Sequence, residues 1–329
     1  MRSAVQSGRC FWFRRWLLPA VFIAFALGPV SATPSPKELL AAGRVDDAIQ
    51  TLEQQLSHSP TDAASYNLLC RAYFMLEEWD RGIPACERAR NLAPESSLYQ
   101  LWLGRIYGEK ADHAGVWSAA GLAKKVRTAF ERAVELDSQN WGARADLAEF
   151  YLEAPGIVGG GQDKARAQAD AIAPLNPAMA HWIAARIAAK NHDIASAERE
   201  YRAAIAANSS LGRAWVDLAG LLLRNNRLDE MERVLHNFES VPVEQREALR
   251  DSASVLLRAG RDFPLAIRLL RRYLSSPVEE APAFKAHDLL GQLLEKQGDP
   301  AAAAAEYRAA LALAHSYARA QEDLKRVEP

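Results

Sequence analysis

The chain has 329 residues, of which 49% are hydrophobic and 25% are charged. This composition predicts a folded protein with a substantial apolar core and excludes a disordered chain. The 40 lysines and arginines nearly balance the 41 aspartates and glutamates, for a formal net charge of −1 at pH 7. Such a balance offers no basic face for nucleic acid, and we expect no nucleic-acid partner.

Residues 1–32 are predicted to be a secretory signal peptide. Four arginines and no acidic residue occur in them, residues 16–30 are apolar, and small residues at 30–32 stand where a signal peptidase cleaves. Cleavage after Ala32 would leave 36 basic and 41 acidic residues, a net charge of −5. The alternative is an uncleaved anchor in the inner membrane, for which the apolar run is short. We therefore expect an exported protein, periplasmic or otherwise extracytoplasmic.

The stretch 63–96 predicts a helix, a short turn and a second helix. Tyr66, Leu69 and Tyr73 recur at helical spacing. The pattern then breaks near Trp79, and Pro94 ends the second helix.

This stretch resembles a tetratricopeptide repeat (TPR), a family whose 34-residue pattern combines aromatic, small and bulky positions with a late proline. The matching positions are Tyr66, Leu69, Cys70, Tyr73, Gly82, Cys86, Ala89 and Pro94. Cys86, in place of a large aromatic residue, is the clear departure. The resemblance implies an all-α fold, a right-handed superhelical solenoid of helix-turn-helix repeats.

The repeat pattern extends over almost the whole chain after residue 32. Residues 33–62 resemble a partial repeat that caps the N-terminal end, because Gly43 cuts its first helix short. Residues 63–315 resemble seven units, and residues 316–329 are predicted to form a C-terminal capping helix. With its export signal, the chain resembles exported bacterial TPR proteins.

Two neighbouring units carry insertions at the turn between their helices, near 108–125 and 154–161. Insertions at equivalent turns project from one edge of a solenoid, where such arrays often add a binding feature. The second insertion is rich in glycine but lacks the GK[ST] ending and the preceding strand of a phosphate-binding loop. We interpret it as a loop between displaced helices, with Asp163 as the N-cap of the next one.

The sequence predicts no catalytic, metal or cofactor site. None of the seven histidines forms an HExxH pair or stands at metal-ligand spacing from a cysteine, and no GxSxG segment marks a nucleophile. We therefore expect that the protein is not an enzyme and carries no cofactor.

Two cysteines are candidates for a disulfide. The resemblance implies that Cys70 and Cys86 face each other on the two helices of one unit. They would be the only cysteines left after signal removal, and an oxidising compartment favours a bond. The alternative is a pair of small buried thiols that fill a helix contact.

A partner groove is implied on the exposed side of the first helices. The family's groove positions fall on Asn67 and Arg71 in the first full unit, Leu101 and Arg105 in the second, Ala145 and Glu149 in the third, and Trp182 and Arg186 in the fourth. Guanidinium groups receive carboxylates bidentately, so partners with acidic or carboxylate groups are the candidates. The alternative is that these arginines are ordinary surface residues.

The function implied by this resemblance is that of a scaffold. We expect a non-enzymatic protein of the cell envelope that binds partner proteins or peptides on a TPR surface. The alternative is an accessory subunit or assembly factor of an envelope enzyme complex, anchored in the membrane through residues 16–30. Membrane contact is expected only through that segment.

Overall fold

The computed structural model describes residues 34–328, apart from 244–245, 276–281 and the side chains of residues 116 and 117. These residues belong to one compact unit. Every regular element in this part of the chain is a helix. The predicted signal peptide lies outside the described residues.

Seventeen α-helices and one 3₁₀ turn follow one another along the described chain. The helices are α1 (Pro36–Ala41), α2 (Val45–His58), α3 (Ala63–Met75), α4 (Trp79–Leu92), α5 (Ser97–Asp112), α6 (Val116–Leu136), α7 (Trp141–Glu153), α8 (Gln162–Ile172), α9 (Pro177–Lys190), α10 (Ile194–Ala207), α11 (Gly212–Arg224), α12 (Leu228–Glu239), α13 (Glu247–Ala259), α14 (Phe263–Leu274), α15 (Ala283–Lys296), α16 (Pro300–Leu313) and α17 (Ala318–Val327).

The helices form consecutive pairs from α1–α2 to α15–α16, and α17 follows the last pair. Each helix packs against the next in the chain. The first helices of neighbouring pairs also touch, for example α3 with α5 and α13 with α15. Each pair therefore covers the apolar face of its neighbour, as stacked repeats must. One continuous core of buried apolar side chains runs along the array.

A recurring turn joins the two helices of six pairs. It contains a residue with a positive φ, at Gly43, Glu77, His192, Asn226, Gly260 and Gly298, and the turn with Gly260 has a second one at Asp262. The other two pairs, α5–α6 and α7–α8, are those whose sequences carry the insertions.

The repeats are also visible in a hydrogen bond that recurs between units. In three successive units a tyrosine of the first helix donates to a glutamate 20 residues earlier, on the second helix of the preceding pair. The pairs are Tyr73 with Glu53, Tyr107 with Glu87, and Tyr151 with Glu131. Burial, together with the Glu53 carboxylate, raises the pKa of Tyr73 to about 12, so the phenol stays a donor at neutral pH.

The first insertion lengthens helices instead of forming a loop. Helix α5 has 16 residues and α6 has 21, against 13 and 14 in the preceding pair. Residues 108–125 lie almost entirely within these two helices, and the connection between them is only residues 113–115.

The second insertion is an irregular connection around the 3₁₀ turn Gly156–Val158. Helix α8 begins at Gln162 with Gly161 as its N-cap and no side-chain capping bond. The expectation that Asp163 is the N-cap is therefore wrong. Asp163 lies in the first turn, where its charge is favourable to the helix dipole.

Within the residues described, no helix has both the length and the apolar character needed to cross a membrane.

Candidate binding face on the first helices

We use the term first-helix face for the surface formed by α3, α5, α7 and α9. Residues four apart share one side of a helix, so Asn67 lies beside Arg71 on α3 and Trp182 beside Arg186 on α9. The face is more closed than the sequence suggested, because Asn67, Arg71 and Trp182 are all buried. The side chain of Arg105 on α5 is 29% exposed and that of Arg186 is 26% exposed. Leu101, the other predicted groove residue of α5, is buried.

Trp102 on α5 organises the first part of this face. Its side chain is buried, and two guanidinium groups lie over its ring, Arg71 at 5.2 Å and Arg105 at 4.8 Å from the centroid. Phe74 meets the same ring edge-on, with centroids 5.5 Å apart. Cation–π contacts of this kind attract and orient the cations, so two helices are joined through one tryptophan.

The same arrangement recurs at Trp182 on α9. Arg186 and Arg213 lie over its ring at 5.6 and 4.9 Å from the centroid. The indole Nε1 donates to Asp217 Oδ2 at 2.8 Å. Trp182 was predicted as a groove residue, whereas its partners Arg213 and Asp217 on α11 were not.

Two of the predicted arginines, Arg105 and Arg186, already form ion pairs with carboxylates of adjacent helices. Arg105 Nε donates to Asp146 Oδ2 on α7 at 2.6 Å. Arg186 lies 3.0 Å from Glu149 and 3.6 Å from Asp217. The third unit, which interrupts the run of arginines in the sequence, therefore supplies the counter-charges of its neighbours. A ligand carboxylate would have to displace these groups.

Burial and charge set the protonation of this cluster. Burial raises the pKa of the Glu149 carboxyl, while the guanidinium groups of Arg186 and Arg213 oppose that rise. Burial by itself would lower the pKa of Arg186, but the carboxylates of Glu149 and Asp217 outweigh it and the pKa is raised. Arg186 is thus a fixed cation, and Glu149 takes up a proton more readily than a surface glutamate does.

Asn67 has an unmet hydrogen-bonding capacity. The residue is 3% exposed, and its Nδ2 finds no partner among the described residues. A buried amide without a partner is costly and is rare in folded proteins. It lies one helical turn from Arg71, whose guanidinium lies over the Trp102 ring.

Family comparisons agree with this architecture. One tetratricopeptide repeat model matches residues 39–106, and a second matches residues 184–230 and 250–323. Together the matches cover more than half of the chain. The protein is a member of the tetratricopeptide repeat family.

A solved structure, that of yeast Tom70, supports the fold. Yeast Tom70 shares 17% identity over 96% of this chain and 66% of its own, with a TM-score of 0.53. TTC0263, a TPR protein of Thermus thermophilus, shares 18% identity over 57% of this chain and 95% of its own, with a TM-score of 0.48. A TPR protein of Parabacteroides merdae shares 13% over 89% of this chain and 96% of its own, with a TM-score of 0.42. No curated protein sequence matches the chain.

In this TPR protein the two candidate cysteines lie side by side within one repeat. Cys70 is on α3 and Cys86 on α4, both are buried, and their Cα atoms are 5.1 Å apart. That separation is within the range that a disulfide spans, and in the structure the two residues form a disulfide.

The glycine-rich insertion of the third repeat is held by hydrogen bonds to backbone carbonyl groups. Lys164 Nζ donates to Gly159 O at 2.9 Å, so the lysine is used within the loop. Gly161 N donates to Tyr151 O at 2.7 Å and ties the loop to α7. Ile157, by contrast, is 91% exposed at the edge of the array.

Three more large apolar side chains are exposed near the N-terminal ends of first helices, whereas Ile157 follows the C-terminal end of α7. They are Leu98 and Trp141, at the starts of α5 and α7, and Leu175, just before α9.

Proposed function

We propose that this TPR protein is a non-enzymatic scaffold of the cell envelope that binds partner proteins or peptides on its first-helix face. The observation that carries the proposal is the stack on Trp102, which orients the partly exposed guanidinium of Arg105 on this face. Because the repeats are stacked and preformed, most of the ordering cost falls on the partner.

Acidic or carboxylate-bearing segments are the partners that suit this face best. At Arg105 the bond between a guanidinium and a carboxylate is already built, with Asp146 in the place that a partner carboxylate would take. A partner carboxylate can exchange with Asp146, because both accept the same charge-assisted hydrogen bond. The tryptophan keeps the guanidinium oriented during that exchange.

The envelope location is part of the same proposal. It is supported by the arrangement of residues 1–32, in which arginines precede an apolar run that ends in small residues. Two cysteines placed for a disulfide are also more common in proteins of oxidising compartments than in cytosolic ones.

The experiment is a crosslinking pull-down from the native envelope fraction, with mass spectrometry of the captured partner and of the crosslinked residues. The bait carries Arg71→Gln and Arg105→Gln, on α3 and α5. The control bait carries Arg88→Gln and Arg132→Gln on α4 and α6, the second helices of the same two repeats. Both baits lose two positive charges, so a general electrostatic effect would appear in both.

We expect the first-helix bait to lose partner capture about tenfold or more, since charged hydrogen bonds contribute about 1.5–3 kcal/mol. The control bait should capture as well as the wild type. Equal capture by both baits would contradict the proposed face. Crosslinks confined to the edge around Ile157 would then assign binding to the insertion.

A further inference from the structure

The two ends of the repeat array touch each other. His315 donates to Asp46 Oδ2 through its backbone N–H at 2.7 Å, and its ring Nδ1 lies 2.6 Å from the same oxygen. Lys285 Nζ donates to Glu77 Oε1, and Ser316 Oγ donates to Glu78 Oε1 at 3.1 Å. These contacts join residues that are between 208 and 269 positions apart.

Gly43 and Ala283 bring the two backbones together at the same place. Gly43 is buried, and a Cβ built on it would lie 2.5 Å from Ala283 Cβ. Its φ of +74° is also one that residues with a side chain rarely adopt. Only glycine therefore allows the first repeat to sit this close to the start of α15.

The chemistry of this contact differs from that between neighbouring repeats. Neighbouring repeats share the buried apolar core. Apart from the contact of Gly43 with Ala283, the ends are instead joined by carboxylates that meet a lysine, an imidazole and a hydroxyl. The side chains of Glu77 and His315 are 53% and 80% exposed, whereas those of their partners Lys285 and Asp46 are 21% and 27% exposed. Because one partner of each pair faces water, salt weakens the attraction, and fully exposed ion pairs contribute only about 0–1 kcal/mol each.

The contact also brings the last repeat towards the early first helices. Lys285 stands in the first turn of α15, and its ammonium reaches Glu77 in the turn after α3. Burial raises the pKa of Glu109, near the end of α5, and the Lys285 charge opposes that rise. Lys285 therefore acts on residues at the ends of both α3 and α5, two helices of the first-helix face.

We propose that the two ends form a clasp that closes the array into a ring, and that the ring opens reversibly as salt rises. The clasp consists of Gly43, Asp46, Glu77 and Glu78 of the first repeats and Ala283, Lys285, His315 and Ser316 of the last ones. Opening separates the last repeat from the early first helices and admits a partner segment to the first-helix face. That last step rests on the proposed function, but the clasp itself does not.

The test measures the radius of gyration by small-angle X-ray scattering at one fixed pH, in about 0.05 M and about 1 M salt, which differ strongly in screening. The variant is Gly43→Ala, whose methyl group collides with Ala283. The matched control is Gly298→Ala in the equivalent turn of the last repeat. There φ is +84° and no atom lies within 4 Å of the added Cβ, so the backbone cost is similar and the collision is absent.

We expect wild type and Gly298→Ala to be compact in low salt and to expand by several ångströms in high salt. Gly43→Ala should be expanded in both. The proposal is overturned if the two glycine variants have the same dimensions, or if the wild type does not expand with salt. A molecular mass of two chains in low salt, measured by light scattering, would assign the contacts to pairs of molecules and would also overturn it.

A charge exchange tests the clasp without touching the backbone. Glu77→Lys and Lys285→Glu each place like charges together and should open the ring in low salt, whereas the double variant restores an opposite pair and should close it. A double variant that remains open would contradict the clasp. If these results hold while the first-helix arginine variants bind partners normally, the proposed binding face fails and the clasp stands.

Discussion

At the scale of single residues, a buried pair of carboxyl groups is the most unusual feature of the C-terminal end. Asp288 on α15 is 2% exposed and Asp323 on α17 is 8% exposed. Gln292 Nε2 donates to both, at 2.9 Å and 3.2 Å. Arg319 lies 3.6 Å from Asp288 and Arg326 lies 2.6 Å from Asp323. Burial and, after it, the charge of Asp323 raise the pKa of Asp288 to about 7.

This pair should make the docking of α17 depend on pH. A carboxyl with a raised folded-state pKa binds more protons in the folded than in the unfolded protein, so stability falls as pH rises between 3.8 and about 7. The difference corresponds to about 4 kcal/mol. Asp288→Asn removes this titration and should unfold at a higher denaturant concentration than wild type at pH 8, but not at pH 4.5.

The comparison is made by denaturant unfolding across that pH range, because the difference between variant and wild type isolates Asp288 from all other titrating groups. Asp80→Asn serves as the control, since the Asp80 side chain is 82% exposed. The interpretation fails if Asp288→Asn differs from wild type by the same amount at both pH values.

The residues of the binding face show how far a sequence can locate a site. Repeat register placed Asn67, Arg71, Arg105 and Arg186 on first helices, because a 34-residue period fixes equivalent positions. It could not show which groups pair, since Arg105 meets a carboxylate 41 residues away on another helix. Asp146 directly follows the predicted groove residue Ala145, and that adjacency is the signal that could have found it.

At the scale of helices, small residues set the spacing within a pair. A Cβ on Gly104 of α5 would lie 2.4 Å from the Phe130 ring on α6. A Cβ on Gly291 of α15 would lie 2.5 Å from the Tyr307 ring on α16. Both glycines stand at the small position of the repeat pattern, where the two helices of a pair approach closely.

Gly104→Ala should therefore destabilise the second repeat by about 1–3 kcal/mol, since the Phe130 ring must move and the helices must separate. Gly108→Ala, one turn later in α5, meets no atom within 4 Å. It should be neutral or stabilising by about 0.5–1 kcal/mol, because alanine favours the helix. Thermal unfolding of both variants makes the comparison, and equal effects would show that the close contact is not limiting.

Helix boundaries in the second repeat could not be predicted from the repeat pattern. The family period assigned residues 108–125 to an insertion at a turn, but the residues themselves are mostly helix formers. Alanine and lysine favour continuation of a helix, and Gly115 is the N-cap at which α6 starts. Helical propensity thus determined how the extra residues fold, and the period indicated only that they were extra.

At the scale of the whole molecule, two kinds of contact have unequal strength. Stacking of neighbouring repeats buries apolar side chains from α1 to α17, and each stacked repeat supports the next. The ends are joined mainly by polar groups that water can also satisfy, together with the close contact of Gly43 with Ala283. The array should therefore keep its helices under conditions that open the clasp, such as high salt.

Export from the cytoplasm would determine both the residue at which the protein begins and the oxidation state of its cysteines. If residues 1–32 are removed on export, Cys10 leaves with them and Cys70 and Cys86 are the only cysteines that remain. The two cysteines are separated by 16 residues, and closing a loop of this length stabilises a chain by about 3 kcal/mol in the entropic account.

We predict that the protein isolated from cells without reductant begins at Thr33 and is two hydrogens lighter than its reduced form. Intact mass before and after reduction measures both properties at once. Cys70→Ser is the control, because it should show no change on reduction and an earlier thermal transition. A mass that includes residues 1–32 would favour an anchor, and two free thiols would leave the cysteines as a packing contact between α3 and α4.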